Sequence, residues 1–169
     1  MGWRCWLVVE EAEGPRLSSV VYPTVWPLRC ELVGVCQRRR QLRRWLTAEV
    51  PHPAPGEGCQ CGIYASGDPT RLRPYLTGHA ADARSSGRLL GRVAGRVLLW
   101  GTLVECEHGW RASHAYPGRI YVHSGADWPL LDGDRLTGAL AGYGVPVERV
   151  ACGTPGELVE ALSREAEAA

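Results

Sequence analysis

Lysine, asparagine and phenylalanine are absent from this chain, and methionine occurs once, as Met1. The lack of lysine excludes most. All 19 basic residues are arginine, so there is no Walker A lysine for a nucleotide phosphate and no amine for a Schiff base. P-loop ATPases, kinases of the standard type and lysine-anchored pyridoxal enzymes are ruled out on chemistry alone. The missing residue types share AT-rich codons, whereas Arg, Gly, Ala and Pro use GC-rich ones. Arginine abundance therefore reflects coding bias, and by itself it does not point to nucleic acid. Long apolar runs are lacking too. The longest, Val97 to Val104, is far shorter than the roughly 20 residues that span a bilayer. Near Met1 no apolar stretch has the length or the cleavage residues of a secretory signal, and Trp6 stands where myristoylation after Gly2 wants Ser or Thr. Seven cysteines, an odd number, without an export signal lead to the expectation of a cytoplasmic protein with reduced thiols.

The remaining composition is that of a globular protein: 169 residues, 45% hydrophobic, 22% charged, net charge +1. That length suits one domain over 1–169, with a core large enough to need no staples. Trp3 to Val9 reads as a strand, and a second extended stretch lies near Ser18 to Tyr22. Leu32, Val35, Leu42, Trp45 and Leu46 fall at helical spacing and predict a helix over 31–47. Cys61 to Ala65 reads as a short buried strand. Asp68-Pro69 reads as a helix start with Asp as N-cap. Val93 to Glu107 is the strongest strand signal, apolar on both faces from Val97 to Trp100, with Gly101 marking a bulge or close approach. Trp110 to His114 and Arg119 to His123 read as two further strands separated by Tyr116-Pro117-Gly118. From about 130 the pattern becomes helix, strand, helix: Asp134 to Tyr143 ended by Gly144, then Val147 to Val150, then a helix opened by Thr154-Pro155-Gly156-Glu157 and running to about Glu167. Strands and helices do not alternate, so the expected class is α+β, with a mixed, mainly antiparallel sheet or small open barrel and flanking helices.

Four segments carry candidate chemistry. Cys59 and Cys61 are two apart, as are Cys106 and His108. On extended chain each pair projects to one side, and thiolate with imidazole is a zinc ligand set. The plain alternative is that these cysteines are small buried hydrophobes. A thiol nucleophile, Cys59 or Cys61 with His108 or His114 and Asp127 to orient the ring, has no local signature behind it. The run Arg38, Arg39, Arg40, Arg43 and Arg44 makes residues 29–44 strongly basic, six positive charges to one negative. It is read either as a phosphate contact or as a solvated helix face. Finally, the stretch from Trp100 to Pro117 gathers Trp100, Glu105, Trp110, Arg111 and Tyr116 in one hairpin beside Tyr64. Aromatics stack a planar ligand while Arg and Glu read its edges. A core hairpin with bulky filler is the alternative.

Two motifs, C-x-CGIYA at Cys59 to Ala65 and WG-x-x-VE…GWRA…AYP from Trp100 to Pro117, resemble those of a group of short uncharacterised proteins from GC-rich bacteria and their phages. The resemblance covers about 51–150, and it implies that neither Cys106 nor His108 is a fixed position. In order of elements, Cys61 to Ala65, the helix after Pro69 and the strand from Gly91 to Trp100 are similar to PUA-like and ASCH-like domains. That similarity implies a cleft for RNA, a modified base or a nucleotide; it rests on element order, not on motif residues.

The leading expectation is thus a small binding module. Nucleic acid, a modified base or a nucleotide would lie in a cleft of Tyr64, Trp100, Glu105, Trp110, Arg111 and Tyr116, with Arg38–Arg44 on phosphates. Its rivals are an enzyme acting on a small polar substrate through Glu105 and Arg111, and a non-catalytic protein-interaction factor. No cofactor is expected beyond a zinc ion on Cys59, Cys61, Cys106 and His108.

Overall fold

The computed structural model describes residues 1–36, 52–78, 87–123 and 133–168. Its architecture is α+β: the described residues form a seven-stranded, mostly antiparallel sheet and three helices. The strands are β1 (Gly2–Glu11), β2 (Gly14–Ser19), β3 (Leu32–Val33), β4 (Ile63–Ser66), β5 (Leu89–Cys106), β6 (Gly109–His123) and β7 (Val147–Val150). The helices are α1 (Arg73–Leu76), α2 (Gly133–Leu140) and α3 (Pro155–Ala168), with 3-10 turns at Pro69–Leu72 and Ala141–Tyr143.

The long β5–β6 hairpin is the frame. β1 pairs antiparallel with β5 from Gly2↔Val97 to Val9↔Leu89. On its other edge β1 pairs with β2, and at Trp3↔Ser66 it touches β4. β4 in turn pairs with β6 from Ile63↔Ala112 to Ser66↔Gly109, so the pairings β1–β5–β6–β4–β1 close a ring. The remaining edge of β6 takes β3 at Ala115 and His114, and β7, in parallel, from Ile120 to His123.

The wide apolar content of β1 is explained by burial on both faces. Trp6 and Val8 join one core with Leu17, Trp26, Val93, Ile120, Leu136 and Leu140, while Trp3, Cys5, Leu7 and Val9 join a second with Leu72, Leu76, Leu158 and Leu162. Trp6 and Trp26 meet edge to face, with centroids 5.4 Å apart, a favoured aromatic geometry. Tyr143 is enclosed at the end of its 3-10 turn. Its hydroxyl donates to the Trp26 carbonyl and accepts from Leu17 N–H, both at 2.9 Å.

Several local signals act as expected. Asp68 caps its turn by accepting from Thr70 N–H at 2.8 Å. Thr154 Oγ1 accepts from Glu157 N–H at 3.2 Å, while Glu157 reaches back to Gly153 N–H at 2.8 Å. Gly101 lies in a bulge between Trp100↔His114 and Leu103↔Ala112.

Three elements differ from the sequence reading. The second strand spans Gly14–Ser19 rather than Ser18 to Tyr22, because its partner β1 continues to Glu11 and pairs with it from Gly14. The helix expected over 31–47 does not begin there: Leu32 and Val33 are extended because the edge of β6 between β4 and β7 offers them backbone partners. From residue 37 to its end at 47, that stretch lies outside the described residues. Likewise Tyr116-Pro117-Gly118 is no turn between strands, since β6 runs unbroken from Gly109 to His123. The register shifts between Arg96↔Arg119 and Val97↔Pro117, which leaves Gly118 as the extra residue of a bulge. A bulge is where a strand tolerates proline.

Candidate metal centre

β3 and β4 are both docked on β6, and this brings the chain that follows one beside the chain that precedes the other. Leu32↔Ala115 and Val33↔His114 hold β3, and Gly34 N–H donates to the Ser113 carbonyl at 2.7 Å. Cys36 follows directly. Cys59 and Cys61 lie just before β4, and His52 lies further up the same loop. The ligand atoms of Cys36, His52, Cys59 and Cys61 all fall within 4.8 Å of one another.

Individual edges of this cluster fit a metal. Cys36 Sγ and Cys59 Sγ are 3.7 Å apart, and His52 Nε2 is 3.3 Å from Cys61 Sγ. Around a tetrahedral zinc, bond lengths of about 2.3 Å to sulfur and 2.0–2.1 Å to nitrogen give edges of about 3.8 Å and 3.6 Å. The two observed edges lie close to these values. A disulfide would need about 2.05 Å, and all seven cysteines are free thiols.

The loop is shaped for the cluster. An ideal Cβ on Gly56 would stand 2.4 Å from His52 Cδ2 and 2.7 Å from Nε2, so only glycine lets the imidazole lie there. Gly62, at φ +116°, turns the chain from Cys61 into β4 in a conformation that L side chains avoid. Gly56 N–H donates to Cys61 Sγ at 3.2 Å. Arg111 on β6 donates to the carbonyls of Cys59 and of Cys61, the latter at 3.1 Å. Three thiolates and a neutral imidazole around Zn²⁺ leave a net charge of −1, and Arg111 supplies an adjacent positive charge. Desolvation pushes the Cys59 thiol up, but hydrogen bonds from the Cys61 backbone and from Cys61, Cys36 and His52 side chains outweigh it and bring it to about 7. Burial, first of all, raises the Cys61 thiol. Cys59 and Cys61 are 8% and 7% exposed, which suits an enclosed ligand set better than a nucleophile meeting a substrate.

Of the zinc set read from sequence, the structure brings Cys59 and Cys61 together and completes the cluster with Cys36 and His52, not with Cys106 and His108. His108 instead faces Glu107 at 3.4 Å, and Cys106 Sγ lies 3.8 Å from the Val104 carbonyl. The ring paired with a cysteine is His52. His114 stacks on Trp100, with centroids 6.0 Å apart, and lies 2.8 Å from Ser113 Oγ. Asp127 and the arginines Arg38, Arg39, Arg40, Arg43 and Arg44 lie outside the described residues.

The expected ligand-binding residues divide. Tyr64 and Trp110 line a groove of about 910 Å³ that runs past Cys59 and Cys61 toward β1 and α1. Arg111 sits over Tyr64, 5.9 Å from its ring centre, and is committed to the cysteine carbonyls. Cross-strand partners share a face, so the pairs Val104↔Arg111 and Glu105↔Trp110 place Glu105 and Arg111 on opposite faces of the hairpin. Trp100, 40% exposed, lies away from the groove. Tyr116 is a tie within the fold: its hydroxyl accepts from Arg29 N–H at 2.6 Å and donates to the Tyr143 carbonyl at 2.8 Å.

Cys36 and His52 were the residues missed by sequence reasoning. The only signal available was the order Cys36, His52, Cys59, Cys61 itself, and its first interval is too long for a familiar knuckle. Among the described residues no helix is long and apolar enough to cross a membrane. Compared with protein-family models, with curated proteins and with solved structures, the chain finds no match.

Proposed function

We propose that this chain is a zinc-binding protein in which Cys36, His52, Cys59 and Cys61 hold one structural ion. The carrying observation is that four ligand atoms of the right types lie within 4.8 Å of one another, two of the separations, 3.7 Å and 3.3 Å, being close to tetrahedral edges. Four protein ligands leave no open position, so the ion's role is to fasten the chain after β3 to the chain before β4 and to the sheet. Native mass spectrometry of protein produced in zinc-supplemented medium tests this. The expected spectrum shows one zinc per chain, lost in Cys36→Ser and His52→Ala and kept in Cys106→Ser. A metal-free spectrum, or loss of zinc with Cys106→Ser alone, refutes it; a mass lower by two hydrogens identifies a disulfide in its place.

A second reading is supported by the groove. It is of small-molecule size, has Tyr64 and Trp110 on its walls, and runs past the metal-bearing loop. In this reading the ion stiffens one wall of a binding module for a nucleotide or for nucleic acid. Fluorescence titration with mononucleotides and a short single-stranded RNA at low salt is the measurement, and absence of binding by all of them removes it.

A further inference from the structure

Arg4 breaks the pattern of its strand. The face of β1 that carries Trp6 and Val8 into the first core carries Arg4 next in line. Its partner across the ladder is Gly95, which offers no side chain. An arginine fork has five N–H donors and no acceptor. Two bonds are made: Nη1 to the Tyr64 carbonyl, and Nη2 to Ser19 Oγ at 3.0 Å. Nε is enclosed and has no acceptor. No carboxylate among the described residues pairs with Arg4. Among the described residues the Trp26 ring, 5.2 Å from the guanidinium carbon, is the π face it meets. Desolvation lowers the guanidinium to about 10, which leaves it charged at neutral pH.

Ser19 repeats the theme. Its Oγ accepts from Arg4 and, at 3.1 Å, from Trp26 Nε1. With both lone pairs taken, the hydroxyl proton has no acceptor among the described residues. Arg4 and Ser19 both line the groove described above. The lining also includes Arg71, Glu107 and His108, with Glu107 exposed and 3.4 Å from His108. Arg4 and Ser19 therefore present donors and a positive charge to the groove, and no carboxylate among the described residues is bonded to either of them. Arg4 is half-buried, a charge partly withdrawn from water without a counter-ion is costly, and an oxyanion in the groove supplies one.

We propose that Arg4 and Ser19 form an oxyanion-reading site at the floor of this groove, taking a small ligand through a terminal phosphate or carboxylate. Arg4 is half-buried and its Nε has no solvent access, which suits a terminal group better than a continuous nucleic-acid backbone. Tyr75 and Trp110 also line the groove and offer aromatic surface to a planar remainder. The inference rests on the groove reading for its place and is independent of the metal.

The test is a side-chain NMR titration of the Arg4 Nε–H signal in the full chain, with inorganic phosphate, acetate, adenosine monophosphate, adenosine and a short RNA as probes. A saturable shift with phosphate or acetate is expected, and the stronger of the two identifies the source chemistry. Adenosine monophosphate is expected to bind at least about tenfold more tightly than adenosine, and Arg4→Gln to remove that difference. Should Arg4→Gln fail to fold, the wild-type titration and Ser19→Ala carry the test. Equal binding of adenosine and its monophosphate with an unmoved Arg4 signal overturns the inference and leaves the groove reading standing. Binding of RNA alone overturns it in favour of a backbone contact. No binding of any probe overturns both, and leaves Arg4 as a structural arginine only.

Discussion

Zinc removal has a calculable consequence. Residues 52–62 carry Ala54, Cys59 and Cys61 as a small separate cluster, with Cys36 packed against it. Burial of side chains that small contributes roughly 3 kcal/mol. The two charge-assisted bonds from Arg111 add roughly 3–6 kcal/mol. Ordering the backbone costs about 1–2 kcal/mol per residue, on the order of 11–22 kcal/mol over this stretch, so a deficit of several kcal/mol remains. A structural zinc site contributes about 10–16 kcal/mol at neutral pH, which covers it. The expected result of chelation is loss of amide protection over 52–62, while β1, β5 and β6 stay protected. At a free zinc concentration a thousandfold above Kd, linkage adds about 4 kcal/mol. For a chain of this size that is a rise of about 8–16 °C in Tm. Hydrogen exchange and thermal denaturation, each with zinc and with chelator, measure both. Identical exchange over 52–62 in the two conditions, with an unchanged Tm, refutes the reasoning.

Gly56→Ala places a methyl against the His52 ring; zinc affinity by competition with a chromophoric chelator is expected to fall at least tenfold, with the fold intact by circular dichroism. Tyr143→Phe strands Leu17 N–H and the Trp26 carbonyl in the core, and is expected to cost about 1–3 kcal/mol in urea denaturation. Burial, first of all, raises the Tyr143 hydroxyl from 10.0 to about 12. The unfolded chain thus loses this proton first, and stability falls as pH rises from 10 through 12, by up to about 3 kcal/mol from this group; in Tyr143→Phe that part of the alkaline slope should vanish. Hydrogen bonds from Thr70, chiefly its hydroxyl, lower the Asp68 carboxyl. Its contribution is therefore present above pH 3.8 and lost on acidification, and Asp68→Ala should lower Tm at pH 7 and flatten the acid limb.

Where a signal was local, the sequence carried it. Asp68-Pro69, Thr154 to Glu157 and Val147 to Val150 each form what their residues predict, because capping and short apolar runs depend on near neighbours. At Leu32 and Val33 an open strand edge on β6 outweighs helical spacing, and from residue 37 on the helix expected over 31–47 lies outside the described residues. The break expected at Pro117 failed because a bulge absorbed it. Cys-x-Cys was legible as half of a ligand set. The other half was assigned to Cys106 and His108 by analogy of spacing, since a regular interval is all that a linear reading can weigh.

By itself the sequence determined the chemical inventory: arginine without lysine, seven cysteines, five imidazoles, and so which chemistries are open. It also determined the class of fold, since periodicity and capping act over short range. Only the tertiary structure decided which thiols meet which imidazole, because that depends on β3 and β4 docking side by side on β6. It decided the standing of Arg4 as well. One more arginine among nineteen says nothing until the strand turns it toward Trp26 and Ser19, and away from every described carboxylate.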